Sequence, residues 1–167
     1  QIKEEHFLPA FKEGMAREKA EIQAIVASKE PASFRNTIEA MERAGQDLER
    51  VGVVFGALSG AETNPRLQAL NRELSPLLAA HRDDISLDPN LWQRVKAVWD
   101  QRATARLDGE QARLLERTYK RFVRAGADLD PAGKERMRAV NAELSKLGIQ
   151  FGERLLKATK DFQLFID

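Results

Sequence analysis

Residues 108–126 read DGEQARLLERTYKRFVRAG, and their pattern predicts one amphipathic helix. Apolar side chains recur at every third or fourth position, which places them on one helix face. They are Leu115, Tyr119, Phe122 and Val123. Asp108 and Gln111 have the spacing of a capping box, and Gly126 follows the last apolar residue, where a helix commonly ends. This stretch therefore predicts a helix with both of its ends marked.

The same pattern extends over the rest of the chain and indicates an all-α fold. Asn64, Asp88 and Asp130 each precede a proline, a pairing typical of an N-cap and the first helical residue, and Ser33 is a further N-cap candidate. Pro76 lies inside a helical pattern and is expected to kink or divide its helix. The last predicted helix carries an apolar stripe formed by Val140, Leu144, Leu147, Phe151 and Leu155. Because the connections are short, we expect an array of six to seven antiparallel helices.

Composition limits the class of protein. With 167 residues, 43% of them hydrophobic and 32% charged, the chain is expected to form one folded domain or lobe. A net charge of +1 predicts no nucleic-acid partner, and the lack of a run of about 18 apolar residues predicts no membrane partner. The absence of cysteine excludes disulfides but fits both cytoplasm and periplasm, so we expect a cytoplasmic protein with a periplasmic location as the alternative. Since Gln1 is not a translational start, we expect a trimmed or excised piece.

Two histidines are the first candidates for metal or acid–base chemistry. His6 lies near the amino terminus among charged residues, which favours a surface position. His81 precedes Asp83 and Asp84, and carboxylates at that spacing more often serve as charge partners than as metal ligands. We therefore expect neither histidine to build a metal or acid–base site.

Four arginines form the second candidate constellation. Arg113, Arg117, Arg121 and Arg124 fall on one face of the helix predicted above, with Lys120 beside them. Such a face could hold a carboxylate or a phosphate, although a solvated surface paired with Glu110 and Glu116 is the more ordinary interpretation. The large aromatic residues fall on apolar stripes and are expected in the core or in a contact between lobes. They are Trp92, Trp99, Tyr119 and Phe122.

Motifs of the common catalytic and nucleotide-binding sites are absent from the sequence. It contains no His-Glu-x-x-His, no G-x-S-x-G, no phosphate-binding loop and no G-x-G-x-x-G. We therefore assign no catalytic, cofactor-binding or metal-ligating residue.

Four blocks, at residues 5–15, 34–45, 74–87 and 119–145, nevertheless resemble the amino-terminal domain of a known family in order and spacing. The family is the thimet oligopeptidase-like zinc metallopeptidases. Within the last block, the segment Phe-Val-Arg-Ala-Gly-Ala at 122–127 is most similar to the peptidyl-dipeptidase branch.

The resemblance implies a function for a much longer protein. In this family two mostly helical lobes face each other across a channel that admits short peptides, and zinc is held by a His-Glu-x-x-His helix and a later Glu. The chain would then supply the non-catalytic lobe of an enzyme that removes dipeptides from peptide carboxyl ends. Zinc is expected in the whole enzyme and not in this chain, which is predicted to be inactive alone.

The predicted division of the chain is a helical lobe at residues 1–159 and an extended tail at 160–167 that leads toward the missing catalytic part. Phe162, Leu164, Phe165 and Ile166 make this tail apolar, so we expect it to dock on that part and the isolated chain to self-associate weakly. The alternative function is a non-enzymatic helical module for protein interaction.

Overall fold

The computed structural model describes residues 2–162, and every regular element in that range is helical. A short 3₁₀ turn at Glu4–His6 precedes the first helix, and a π-helical turn at Phe34–Glu39 runs directly into the second. The seven α-helices are α1 (Phe7–Ala27), α2 (Ala40–Arg43), α3 (Gln46–Ala61), α4 (Pro65–Ser86), α5 (Pro89–Asp100), α6 (Gly109–Ala125) and α7 (Pro131–Asp161). The all-α prediction is confirmed. None of the described helices is both long and apolar enough to cross a membrane.

The four helices α4 to α7 begin at the predicted caps. The Asp88 carboxylate accepts hydrogen bonds from the backbone N–H groups of Asn90 and Leu91 at 2.7 and 2.9 Å, and Asn64 and Asp130 cap α4 and α7 in the same way. These bonds satisfy donors that have no partner within the helix. The predicted capping box at Asp108 is formed, and the predicted N-cap Ser33 also forms a capping box, with Asn36.

Two positions differ from the predicted helix pattern. The segment after Ser33 starts as a π-helical turn, and α2 proper adds only one further turn, Ala40–Arg43. Pro76 lies inside α4, which continues through it from Pro65 to Ser86, so the proline does not divide this helix. Gly45, with φ of +76°, separates α2 from α3 in a left-handed conformation that favours glycine.

α1 packs antiparallel against α3 over a core rich in phenylalanine. Phe7 and Phe11 both meet Phe55 edge-on, with ring centroids 5.1 and 5.5 Å apart, and Gly14 lies against Leu48 one to two turns farther along. A Cβ on Gly14 would lie 3.0 Å from the Leu48 Cα, so the glycine permits the close approach of the two helices. Leucines of α4 complete this core.

A second core joins the carboxyl end of α1 to α5, α6 and the π-helical turn. Ile38, Leu91 and Val95 are fully buried in it. Arg94 lies at the edge of this second core. The Arg94 guanidinium donates hydrogen bonds to the backbone carbonyls of Ser28 and Glu30 and to the side chain of Asn36. These hydrogen bonds hold the segment between α1 and the π-helical turn against α5.

α7 lies antiparallel to α4 and contacts it through polar side chains. Asn141 donates to Asp83 at 2.7 Å, and the hydroxyl groups of Ser75 and Ser145 are 3.1 Å apart. No residue of Pro131–Asp161 is buried. The apolar stripe predicted for α7 does not face the core: Leu144 is 60% exposed and Phe151 is 69% exposed. All five residues of this stripe are thus exposed within the described part of the chain.

Most of the predicted tail at 160–167 lies beyond the residues that the structure describes. α7 continues to Asp161, and Phe162 leaves the helix with extended backbone angles. Residues 163–167 lie outside the described residues, so the extended docking tail stays a prediction.

Candidate functional site

An open groove of about 920 Å³ lies between the α1–α2–α6 side of the fold and α7, with α4 beneath it. We call it the central groove. Its apolar lining includes Ile22, Met41, Phe122, Leu144 and Ile149. Its charged lining consists of Glu18, Glu42, Glu49, Asp83, Arg82 and Arg121. A groove of this size with mixed lining has the character of a ligand or peptide surface.

A polar pair joins α1 to α4 beside the central groove, and Glu18 is its member that lines the groove. His81 Nε2 is 2.7 Å from Glu18 Oε2, and only 7% of the His81 side chain is exposed. One turn along α1, the Glu21 carboxylate accepts a hydrogen bond from the backbone N–H of Gly45 at 2.8 Å. The two glutamates thus hold α4 and the α2–α3 junction against the same face of α1.

Asp83 and Asp84 connect α4 to α1 and α7. Asp83 is buried and bonds to Asn141 of α7, whereas Asp84 accepts hydrogen bonds from Lys19 at 3.1 Å and Arg138 at 3.0 Å. Partial burial acts to raise the pKa of Asp84, but the hydrogen bonds and charges of Lys19 and Arg138 outweigh it and lower that pKa below its usual value. Asp84 is therefore held as a carboxylate between α1 and α7.

A second cavity of about 590 Å³ lies along α6, and we call it the α6 basic cavity. Five cationic side chains and two carboxylates belong to its lining, together with Leu114 and Thr118. The charged members are Arg113, Arg117, Lys120, Arg121, Arg124, Glu42 and Glu116. The predicted arginine face therefore forms one wall of a concave and predominantly positive surface.

Arg121 and Glu42 belong to the linings of both cavities and form an ion pair at 3.9 Å. The central groove has four carboxylates against two arginines, whereas the α6 basic cavity has the opposite balance. The two cavities are thus neighbours of opposite charge that meet at this ion pair.

The third feature is the exposed stripe of α7, which we call the α7 apolar face. Its residues are Val140, Leu144, Leu147, Phe151 and Leu155. At about 100° per residue they lie roughly a third of a turn around the helix from Asn141 and Ser145, which contact α4. Leu144 also lines the central groove, so this face begins at the groove and extends beyond it.

The amino-acid sequence of the chain is similar to those of several known peptidases. No protein-family profile matches the chain. Dipeptidyl carboxypeptidase of Escherichia coli is 43% identical over 167 residues, which are 100% of this chain and 24% of that protein. The dipeptidyl carboxypeptidase of Salmonella typhimurium is also 43% identical, over 99% of this chain and 24% of its own length. Oligopeptidase A of the same organism is 25% identical over 95% of this chain and 23% of its own length.

The resemblance to the thimet oligopeptidase-like family is confirmed. The similarity is to the amino-terminal region of these peptidases, and it is higher to the dipeptidyl carboxypeptidases than to oligopeptidase A. The chain spans about a quarter of the length of the curated relatives it matches.

The zinc that the thimet oligopeptidase-like family uses does not fit the histidines of this chain. His6 is exposed, as predicted, and its Nδ1 accepts a hydrogen bond from the backbone N–H of Lys3 at 3.2 Å. His81 lies within the fold and is bonded to Glu18. Among residues 2–162, no group of three or more acidic or histidine side chains is placed to hold a metal ion.

Sequence reasoning missed the partner of His81. Asp83 and Asp84 were the expected partners, but these side chains contact α7 and Lys19, whereas the partner is Glu18, 63 positions earlier. No local pattern links residues on two helices so far apart in sequence. The aromatic residues match the prediction of core positions, since Trp92 and Phe122 are buried and Trp99 and Tyr119 pack against the same core.

Proposed function

We propose that the chain is the amino-terminal helical lobe of a zinc peptidyl-dipeptidase, an enzyme that releases dipeptides from the carboxyl ends of short peptides. The observation that carries this proposal is the 43% identity to two dipeptidyl carboxypeptidases along essentially the whole chain. In this proposal the catalytic zinc is held by residues outside these 167. The protein is proposed to be cytoplasmic, with the periplasm as the alternative location.

The central groove is the surface that we assign to the substrate channel. Support comes from its open shape, its volume of about 920 Å³ and its lining by both apolar and charged side chains. A wall of this kind accepts varied peptide side chains without selecting one of them, because it offers apolar contact beside carboxylates and guanidinium groups. The groove would position peptides, and its residues would carry out no bond cleavage.

The α7 apolar face is the surface that we assign to contact with the rest of the protein. An exposed apolar face along a single helix is typical of a packing surface. The matched relatives are about four times as long as this chain, so they contain enough polypeptide to cover it. In the proposal this contact joins the helical lobe to the catalytic part.

The test uses the product of the complete parent gene beside the 167-residue chain. We expect the gene to encode His-Glu-x-x-His and a later Glu beyond Asp167. The full-length protein should release carboxyl-terminal dipeptides from amino-terminally blocked peptides, lose this activity with a chelator and recover it with zinc, whereas the short chain should cleave nothing. A full-length protein without zinc-dependent peptidase activity would contradict the proposal.

The alternative function is a non-enzymatic helical interaction module, and the exposure of the α7 apolar face is the observation that favours it. The same gene distinguishes the two functions. A reading frame that closes near residue 167 would favour the module, and one that continues into the zinc motif would exclude it.

A further inference from the structure

The α6 basic cavity is a concave surface to which the peptidase proposal assigns no role. Its five cations face two carboxylates, in a chain whose net charge is only +1. Thr118, nearly fully buried, and Leu114 also belong to the lining. The cavity therefore carries a local excess of three positive charges, whereas the net charge of the whole chain is +1.

Two of the five cations have no partner among the described residues. Glu116 pairs with Lys120 at 2.5 Å and with Arg113 at 3.4 Å, and Arg121 pairs with Glu42. Within residues 2–162, Arg117 and Arg124 form no ion pair and no side-chain hydrogen bond. These two guanidinium groups can therefore each take a carboxylate as a bidentate ligand without breaking an existing pair.

The distance between Arg117 and Arg124 indicates how far apart two carboxylates of one ligand should be. Seven residues of α-helix separate them by about 10 Å along the axis. An extended peptide in the polyproline II conformation presents every third side chain on one face, about 9 Å apart. Acidic side chains three positions apart in such a peptide would therefore reach both arginines together.

We propose that the α6 basic cavity binds a peptide segment that carries acidic side chains three positions apart, with Arg117 and Arg124 each holding one carboxylate. This inference stands independently of the zinc peptidase proposal, because it concerns binding by this chain and not cleavage. A nucleic acid is disfavoured because no aromatic residue lines the cavity, and the nearby Tyr119 and Trp99 rings are stacked on each other at 4.4 Å.

The experiment measures fluorescence anisotropy of a labelled peptide with glutamate at every third position, against the same peptide with glutamine. We expect the glutamate peptide to bind the 167-residue chain at low ionic strength, the glutamine peptide not to bind, and added salt to weaken binding. The double variant Arg117→Gln/Arg124→Gln should weaken binding by about tenfold, and Arg117→Lys/Arg124→Lys by less.

The matched control is Arg136→Gln/Arg154→Gln, which removes the same charge from exposed positions of α7. It should change the affinity by less than about twofold, and circular dichroism should show that all variants keep their helices. Equal weakening in the control would overturn the proposal, since net charge alone would then explain binding. Failure of the glutamate peptide to bind at low salt, or equal binding of an oligothymidylate of the same charge, would overturn it as well.

Discussion

Asp84 shows how a single side chain links three helices of this fold, since it sits on α4 and accepts hydrogen bonds from Lys19 of α1 and Arg138 of α7. Its side chain is 43% exposed, so solvent screens these bonds and their contribution to stability is small. The carboxylate form is nevertheless the one that the fold favours, because the pKa of Asp84 in the folded chain lies below its ordinary value near 3.8.

The first prediction concerns the pH dependence of this contact. A lowered pKa in the folded state stabilises the fold above the unfolded pKa, and this contribution disappears as the pH falls through the folded value. We expect Asp84→Asn to lower the free energy of unfolding by up to about 1 kcal/mol at pH 7, and by progressively less below about pH 4. Urea denaturation of both proteins at several pH values measures this, and a difference that grows toward acid would contradict the assignment.

The second prediction concerns Gly45. Its φ of +76° favours glycine, and an added Cβ would lie 2.6 Å from Glu18 Oε1, the carboxylate bonded to His81. Gly45→Ala should therefore destabilise the chain by about 1–2 kcal/mol or more. Gly52 is the matched control, because it lies inside α3 with open space around it. Gly52→Ala should stabilise the chain by about 0.5–1 kcal/mol. Thermal or urea unfolding of the two variants measures these opposite changes in stability. Equal changes in both variants would contradict the role assigned to the positive φ and close contact at Gly45.

At the scale of the element, α4, α5, α6 and α7 each begin at a side-chain cap that is local in sequence, and α5 is the clearest case. The Asp88 cap precedes Leu91, which is fully buried in the second core. The start of α5 thus determines how Leu91 and Trp92 enter this core. A lost cap is expected to weaken the core contact as well as the helix end.

The third prediction tests this cap. Asp88→Ala removes the acceptor for two backbone N–H groups and should lower the free energy of unfolding by about 1 kcal/mol. Asp100→Ala, at the other end of α5, removes only an exposed pair with Lys96 and should change it by less than about 0.5 kcal/mol. Urea denaturation compares the two variants, and equal losses would show that charge and not capping is responsible.

At the scale of the whole molecule, the helices divide into those that enclose apolar cores and one that does not. α1, α3, α4, α5 and α6 contribute buried side chains, and Ala40 and Met41 of α2 pack against the second core. α7 has no buried residue, makes polar contacts with α4 and exposes its apolar stripe. Each exposed large apolar side chain would gain about 1.5–3 kcal/mol on full burial, which makes the α7 apolar face favourable for association.

The fourth prediction concerns association through this face. The isolated chain is expected to self-associate weakly and to bind an apolar dye, and Leu147→Gln/Phe151→Gln should reduce both without lowering the free energy of unfolding by more than about 0.5 kcal/mol. Analytical ultracentrifugation over a range of protein concentrations measures the self-association, and dye fluorescence measures the dye binding. Val53→Gln/Val54→Gln on exposed α3 is the control and should leave association unchanged. A monomeric wild-type chain at high concentration would contradict the prediction.

Most of the helices, and the starts of α4 to α7, could be predicted from the sequence alone. Apolar spacing and capping side chains act within one or two turns, so Asn64, Asp88, Asp108 and Asp130 could be identified as caps without any knowledge of packing. The sequence also indicated the family resemblance, since ordered blocks of residues carry that information directly. The alignment of the four arginines on one helix face was predictable for the same local reason.

Which helix faces contact each other became known only from the three-dimensional packing of the chain. Helical periodicity predicts which side chains share a face but not which neighbour that face contacts. The sequence therefore predicted the apolar stripe of α7 but not its position outside both cores. The pairing of Glu18 with His81, and the meeting of two oppositely charged cavities at Glu42 and Arg121, join helices far apart in sequence. Such contacts depend on how all the helices pack together, and no local pattern of residues encodes that arrangement.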